Sequence, residues 1–177
     1  MTGCITAITV QKRNRQRCNI FVDDQYAFSL SQRLAAGLHV GTPLSGEKKQ
    51  ELLAEDEKQR AFERSLYFLG YKPRSRTEIL NYLEKKGFSQ QASDYAMARL
   101  EEYGYVDDMA FARMWIESRS ITRPRGEFGL RHELRQKGVA GSVIDKALAG
   151  YEETEPAWRA VKPRLKSWAG LDRTGLR

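Results

Sequence analysis

Few side chains in this chain of 177 residues could do chemistry. Its thiols are Cys4 and Cys18, and its imidazoles are His39 and His132. A structural zinc site wants four thiolate or imidazole ligands in close pairs. These four are scattered singly, so no metal is expected. A Cys4–Cys18 disulfide would need an oxidising compartment, and the opening MTGCITAITV lacks the basic-then-apolar layout of a secretory signal. Both cysteines are therefore expected as half-buried strand residues, and both histidines as solvated. Carboxylates pair at Asp23-Asp24, Glu101-Glu102, Asp107-Asp108 and Glu152-Glu153. A metal-dependent nuclease needs several acidic ligands converging on one site. Asp107 is instead suited to cap a helix, and the other pairs fall on turns or exposed faces. With no phosphate-cradling glycine loop and no nucleophile elbow, neither catalysis nor a cofactor is expected.

Charge is the stronger signal. The net formal charge is +7, and much of the excess lies in residues 109–150, where eight basic side chains meet four acidic ones. Arg113, Arg119, Arg123, Arg125, Arg131, Arg135 and Lys137 stand near only Glu117, Glu127 and Glu133. Such a patch can attract phosphates or an acidic protein surface. The plainer reading is a solvated helix face with local ion pairs worth roughly 0.3–0.5 kcal/mol each. Arg74 and Arg125 both follow a proline. They could contact a partner, or they could cap the carbonyls of the preceding helix. Tyr103, Tyr105, Phe111 and Trp115 could stack on bases, but helical spacing beside glycines favours core packing.

These residues need a scaffold, and the sequence indicates one. Ile5 to Val10, Cys18 to Val22 and Tyr26 to Leu30 read as strands, rich in β-branched and aromatic residues. Asp23-Asp24-Gln25 supplies a tight turn, and the other turn, Lys12 to Arg17, is cationic. A short helix over Ser31 to Ala36 follows, then breaks at Gly37, Gly41 and Pro43. From Ser45 the pattern is helical, starting with a long helix to about Leu69. Its first half, EKKQELLAEDEKQR, is expected to be exposed, and its second half carries Ala61, Phe62, Ser65, Leu66 and Leu69 as a stripe.

An internal repeat organises the rest. Lys72-Pro73-Arg74-Ser75 lies fifty-one residues before Arg123-Pro124-Arg125-Gly126. The same step superposes Leu83-Glu84-Lys85-Lys86-Gly87-Phe88 on Leu134-Arg135-Gln136-Lys137-Gly138-Val139, and Ile79 on Leu130. Ser75-Arg76-Thr77-Glu78 has the form of a capping box. Gly70, Gly87 and Gly104, each followed by an aromatic residue, read as left-handed helix stops. Expected apolar faces are Ala92, Tyr95, Ala96, Leu100 and Tyr103, then Ala110, Phe111, Met114 and Trp115, then Val143, Ile144, Ala147 and Leu148. The fold expected is mainly α: tandem three-helix, helix-turn-helix-like units behind a small antiparallel β meander. The expected divisions are 1–44 for the meander and short helix, 45–106 for the long helix and first three-helix unit, 107–152 for the second, and 153–177 for the first helix of an incomplete third. No apolar run approaches the roughly 18 residues that span a bilayer, so a cytoplasmic protein without membrane contact is expected.

Three stretches together resemble the RecX family, bacterial regulators of the RecA recombinase. They are P-R-S-R-T-E-I-L-x-x-L-x-x-K-G-F from Pro73, G-Y-V-D-D-x-x-F-A-R-x-W from Gly104, and R-G-E-F-G-L-R-x-E-L-R-x-K-G-V from Arg125. The resemblance implies tandem three-helix units, binding to RecA filaments with restraint of their activity, closeness to the bound single-stranded DNA, and no enzymatic turnover. A role in DNA recombination, DNA repair and the SOS response is implied with it, and a monomer is expected. The residues expected at the partner are Arg74, Arg113, Arg119, Arg123, Arg125, Arg131, Arg135 and Lys137. The sequence departs from the family pattern in its short third unit, which leaves open how much filament it could bridge. The alternative is a helix-turn-helix DNA-binding protein that places Glu127 to Lys137 in the major groove. That stretch is poor in the Asn and Gln suited to adenine readout.

Overall fold

The computed structural model describes residues 3–123 and 125–151. They form two compact units. One comprises the residues up to Tyr67 together with Leu83–Arg99; the other comprises Phe68–Tyr82 together with the residues from Leu100 onward.

The first unit begins with β1 (Gly3–Val10), β2 (Arg17–Val22) and β3 (Gln25–Ser31), each antiparallel to the next. Asp23 and Asp24 turn the chain at φ +50° and +63°, the two positive values that a two-residue hairpin matched to strand twist requires. Cys4 N–H donates to the Asp23 carboxylate at 2.9 Å, which ties the turn to β1. Helix α1 (Gln32–Ala35) follows, with the Ser31 hydroxyl as its N-cap. The segment after it returns to the sheet: β4 (Pro43–Leu44) pairs with the start of β1, giving the order β3-β2-β1-β4. A two-residue strand containing proline carries no periodic signal, and proline is tolerated there because the strand lies at the sheet edge. Cys18 is buried in this core and Cys4 is partly buried; both are free thiols.

Helix α2 (Gly46–Leu69) starts at Ser45, whose hydroxyl accepts from Lys48 N–H at 3.1 Å. Its first half is not the exposed segment that its charge suggests. Leu52 and Leu53 pack on the sheet core of Ile5, Ile20, Phe28 and Leu30. Asp56 is only 2% exposed; it accepts from Ser31 N–H at 2.7 Å and pairs with Arg17 at 2.9 Å. One buried carboxylate thus joins the helix to β2 and to the end of β3. Of the second-half stripe, Ala61 and Ser65 are buried, while Leu66 is exposed.

The repeat appears as repeated elements. Helix α3 (Arg76–Lys85) and the later α6 (Glu127–Gln136) have equal length and start fifty-one residues apart. Helix α4 (Gln90–Glu102) and α7 (Gly141–Leu148) start at the same step. Ile79, Leu83, Leu130 and Leu134, paired by that step, are all fully buried. The capping box forms: Glu78 N–H donates to the Ser75 hydroxyl at 3.2 Å, and Ser75 N–H to the Glu78 carboxylate at 3.3 Å. Left-handed φ occurs at Gly87, Gly104 and Gly138, not at Gly70. On α4 the buried residues are Ala92, Ser93, Ala96, Met97 and Leu100, whereas Tyr103 is exposed.

In the second unit, α5 (Asp108–Thr122) is capped by Asp107, which accepts from Met109 and Ala110 N–H. Phe111, Ala112 and Ile116 of α5 pack with Leu130, Leu134, Val139, Ile144 and Leu148. Ala110 and Met114 face outward, unlike the expected stripe. The α3 N-terminus docks on the α6 C-terminus. The Ser75 hydroxyl donates to the Lys137 carbonyl, and the Thr77 hydroxyl to the Gly138 carbonyl at 2.8 Å. These carbonyls end a helix and lack intrahelical partners, so the hydroxyls satisfy groups that would otherwise need water. The expected helix within 153–177 lies outside the described residues. Among those residues, no helix is long and apolar enough to cross a membrane.

Candidate partner-binding surface

Trp115 is the centre of the surface. Helical spacing places Arg119 one turn further along α5, and its guanidinium lies 4.5 Å from the indole centroid. From α6, Glu133 reaches both: its Oε2 accepts from Trp115 Nε1 at 2.9 Å and from Arg119 Nε at 2.6 Å. Arg125, in the turn before α6, approaches the other carboxylate oxygen at 3.7 Å. Lys137 Nζ also lies 5.1 Å from the indole centroid and pairs with Glu78 at 2.8 Å. Glu78 also meets Arg74 at 3.8 Å, and Arg74 stacks 4.0 Å from the centroid of Phe68.

Arg74, Lys137, Arg119 and Arg125, proposed separately from sequence, therefore belong to one connected network with Glu78, Glu133 and Trp115. Four cations meet two carboxylates in it, so it stays positive. Burial raises the pKa of Glu133, but hydrogen bonds from Arg119 and Trp115 outweigh burial and hold the carboxyl below its ordinary range. Beside the network runs a groove of about 240 Å³, walled by Pro73, Phe111, Met114 and Trp115 and edged by Lys72 and Lys137. A tryptophan flanked by arginines is the composition that most often dominates binding energy at protein interfaces.

The remaining candidates lie apart from this network. Arg131 pairs with Glu127 and with Asp145. Its pKa is raised, first by the hydrogen bond to Glu127 and next by that to Asp145. Arg113, Arg123 and Arg135 are exposed. Tyr103 and Tyr105 are exposed as well, their rings 5.9 Å apart, which corrects the expectation that they pack in the core; Phe111 does so. Glu78, Asp145 and Lys72 were absent from the sequence-based surface. The Arg74–Glu78 pair was detectable as an i,i+4 salt-bridge spacing; the contacts across elements were not. Among the described residues no group of three or more Cys, His, Asp or Glu could hold a metal ion.

Comparison with known proteins accounts for most of the chain. Residues 3–43 match the family model of the regulatory protein RecX N-terminal domain, 61–100 that of the first RecX three-helix domain, and 107–148 that of the second. A regulatory protein RecX of Halalkalibacterium halodurans is 38% identical over 170 residues, covering 93% of this chain and 62% of the relative. One of Lactobacillus johnsonii is 38% identical over 163 residues, covering 91% of this chain and 59% of the relative. The chain thus spans about three fifths of the length of these relatives. A crystal structure of a regulatory protein RecX aligns with TM-score 0.73 at 25% identity, over 97% of this chain and 87% of that one. The structure of RecX from Lactobacillus salivarius aligns with TM-score 0.61 at 16% identity, over 68% of this chain and 80% of that one, and supports the fold alone.

Proposed function

The chain belongs to the RecX family of regulatory proteins, and from that premise we propose that it binds RecA filaments on single-stranded DNA and restrains their activity, with no turnover of its own. The observation that supports this most is the recurrence of one helical geometry at a fixed fifty-one-residue step. A filament offers one protein surface again and again, and a repeated scaffold can meet more than one copy. In this reading the exposed Arg113, Arg123, Arg125 and Arg135 make the direct contacts. Arg74, Arg119, Arg131 and Lys137 hold the surface in shape through the ion pairs described above. The cytoplasm, where such filaments form, is the site of action.

The test uses purified chain and RecA–ssDNA filaments, followed by ATPase rate and strand exchange. Saturating protein lowers both. Reversing Arg113, Arg123, Arg125 and Arg135 to Glu moves the net charge from +7 to about −1. Filament affinity then falls at least tenfold while the fold persists, since surface changes usually stay within about ±0.5 kcal/mol each. Equal ATPase with and without saturating protein would overturn the proposal. Tight duplex binding without any effect on the filament would favour the helix-turn-helix alternative.

A further inference from the structure

The groove beside Trp115 lies wholly within the second unit, and one stripe of α5 supplies most of its wall. Phe111, Met114, Trp115 and Ser118 are spaced i, i+3, i+4, i+7, which puts them on one helix face. Phe111 is buried, and its ring stacks on that of Trp115 with centroids 6.0 Å apart. Met114 is 37% exposed, and Pro73 completes the apolar wall. Arg113, Arg123, Arg125 and Arg135, the direct contacts of the filament proposal, are not among its lining residues.

Size, rigidity and charge narrow the occupant. At about 240 Å³ the groove is smaller than the roughly 300–1,000 Å³ of small-molecule sites; it accommodates one large side chain of a passing chain segment. Its wall is set before anything binds, because Trp115 Nε1 donates to Glu133 at 2.9 Å and α5 is anchored in the core by Ala112 and Ile116. A pre-formed wall spares the ordering cost of binding. Arg119 and Lys137 already lie 4.5 Å and 5.1 Å from the indole centroid, so the ring is engaged and is not an open platform for stacked bases. The rim carries Lys72, which is exposed, and Lys137 against one carboxylate, Glu78. Glu78 is itself engaged, accepting from Lys137 at 2.8 Å and from Ser75 N–H at 3.3 Å. An ammonium carries three donors, so Lys137 retains donors beyond Glu78.

We propose that this groove docks an acidic protein segment through one aromatic or large aliphatic side chain, with flanking carboxylates on Lys72 and Lys137. An apolar anchor seated in a pocket carries most of the energy of such a contact, and complementary charge at the rim selects the partner and speeds its arrival. The docking needs no recombinase and is independent of the filament proposal.

Fluorescence anisotropy with the whole chain and a short labelled peptide of aspartates around one phenylalanine tests it. The peptide binds at least tenfold more tightly than one with serine in place of the phenylalanine, the discrimination expected for burying one large apolar side chain. It also binds at least tenfold more tightly than the version with asparagines for aspartates, and its affinity falls with added salt. Met114→Ala weakens binding fivefold or more and leaves the salt dependence unchanged. Lys72→Glu weakens it fivefold or more and flattens the salt dependence. Lys146→Glu, at an exposed position outside the groove, makes the same change of charge and alters affinity less than twofold; circular dichroism confirms that every variant is folded. In a methyl NMR spectrum the peptide shifts the Met114 Cε signal, which Met114→Leu assigns. The proposal is overturned if the serine or asparagine peptide binds as tightly as the parent, or if the Lys146 variant loses as much as the Lys72 variant. It is equally overturned if both groove variants bind like wild type, if the Met114 signal stays in place at saturation, or if oligo(dT) displaces the peptide as well as unlabelled peptide does.

Discussion

Gly87 and Gly138 occupy the same place in the two repeats, and replacing each with alanine separates local from tertiary constraint. Both leave a helix at positive φ, +79° and +74°. Both make the same closing bonds: Phe88 N–H to the Leu83 carbonyl at 3.2 Å, and Val139 N–H to the Leu134 carbonyl at 3.1 Å. An alanine Cβ at Gly87 meets nothing within 4 Å. Only the left-handed conformation is penalised there, by about 1–2 kcal/mol. At Gly138 the added Cβ would lie 2.4 Å from Thr77 Cβ and 2.5 Å from its Cγ2 and Oγ1. The first turn of α3 must then move away from the α6 carbonyls it serves. Overpacking of this kind adds about 1–3 kcal/mol, for a total of about 2–5 kcal/mol against about 1–2 at Gly87. Urea unfolding followed by circular dichroism measures both losses. Adding Thr77→Ala to Gly138→Ala restores part of the difference. Equal losses at the two glycines, or no recovery on removing the threonine, would refute the docking of α3 on α6 as the cause.

Asp56→Ala leaves the Arg17 guanidinium without its carboxylate, and breaking a buried pair costs about 3–5 kcal/mol. Arg17 keeps some solvent contact at 19% exposure, so a loss of about 2–4 kcal/mol is expected in urea unfolding. Asp56→Leu with Arg17→Met recovers most of it, because no charge is then stranded; a single-variant loss under about 1 kcal/mol would contradict the bracing role. Glu133, held below its ordinary pKa, favours the folded state while ionised. That contribution is complete above the unfolded value of about 4.3 and disappears as pH falls through the lower folded value. The wild-type unfolding midpoint should therefore drop more steeply than that of Glu133→Gln on acidification below about pH 4.3; parallel curves would remove Glu133 from the network's energetics.

What the sequence disclosed follows the range of each interaction. The repeat was legible because its signals are local: the Ser75–Glu78 box, the glycines at 87 and 138, and the apolar spacing of Ile79, Leu83, Leu130 and Leu134. Strand and helix positions followed for the same reason. The strand at Pro43–Leu44 was not legible, since its pairing with Gly3 and Cys4 is long-range and its two residues carry no period. The first half of α2 was misread because charge count stood in for burial. Asp56 is buried with its partner Arg17, which lies thirty-nine positions earlier in the chain. For the candidate surface, the sequence supplied the cations but not their company. Trp115, Glu78 and Glu133 join four of the eight named residues into one network through contacts between elements, which spacing along one helix cannot reveal.

The same duplication explains why the proposed filament contacts fall in the second repeat. At three paired positions the two copies differ. Ser75 and Thr77 donate their hydroxyls to Lys137 and Gly138, whereas their counterparts are Gly126, which makes no side-chain cap, and Phe128, which is 86% exposed. Arg74 has Glu78 four residues on and is 17% exposed at its side chain. Arg125 has Gly129 in that place and is 55% exposed. The hydroxyls at the edge of the first copy are thus consumed in holding the second, and Arg74 shares Glu78 with Lys137. The edge of the second copy presents Arg125 and Phe128 to solvent. An outward, cationic edge steers an acidic partner towards it and adds specificity and association rate more than affinity. In the proposed reading, Arg123, Arg125 and Arg135 serve recognition, and Ser75 and Thr77 serve the stability that recognition depends on.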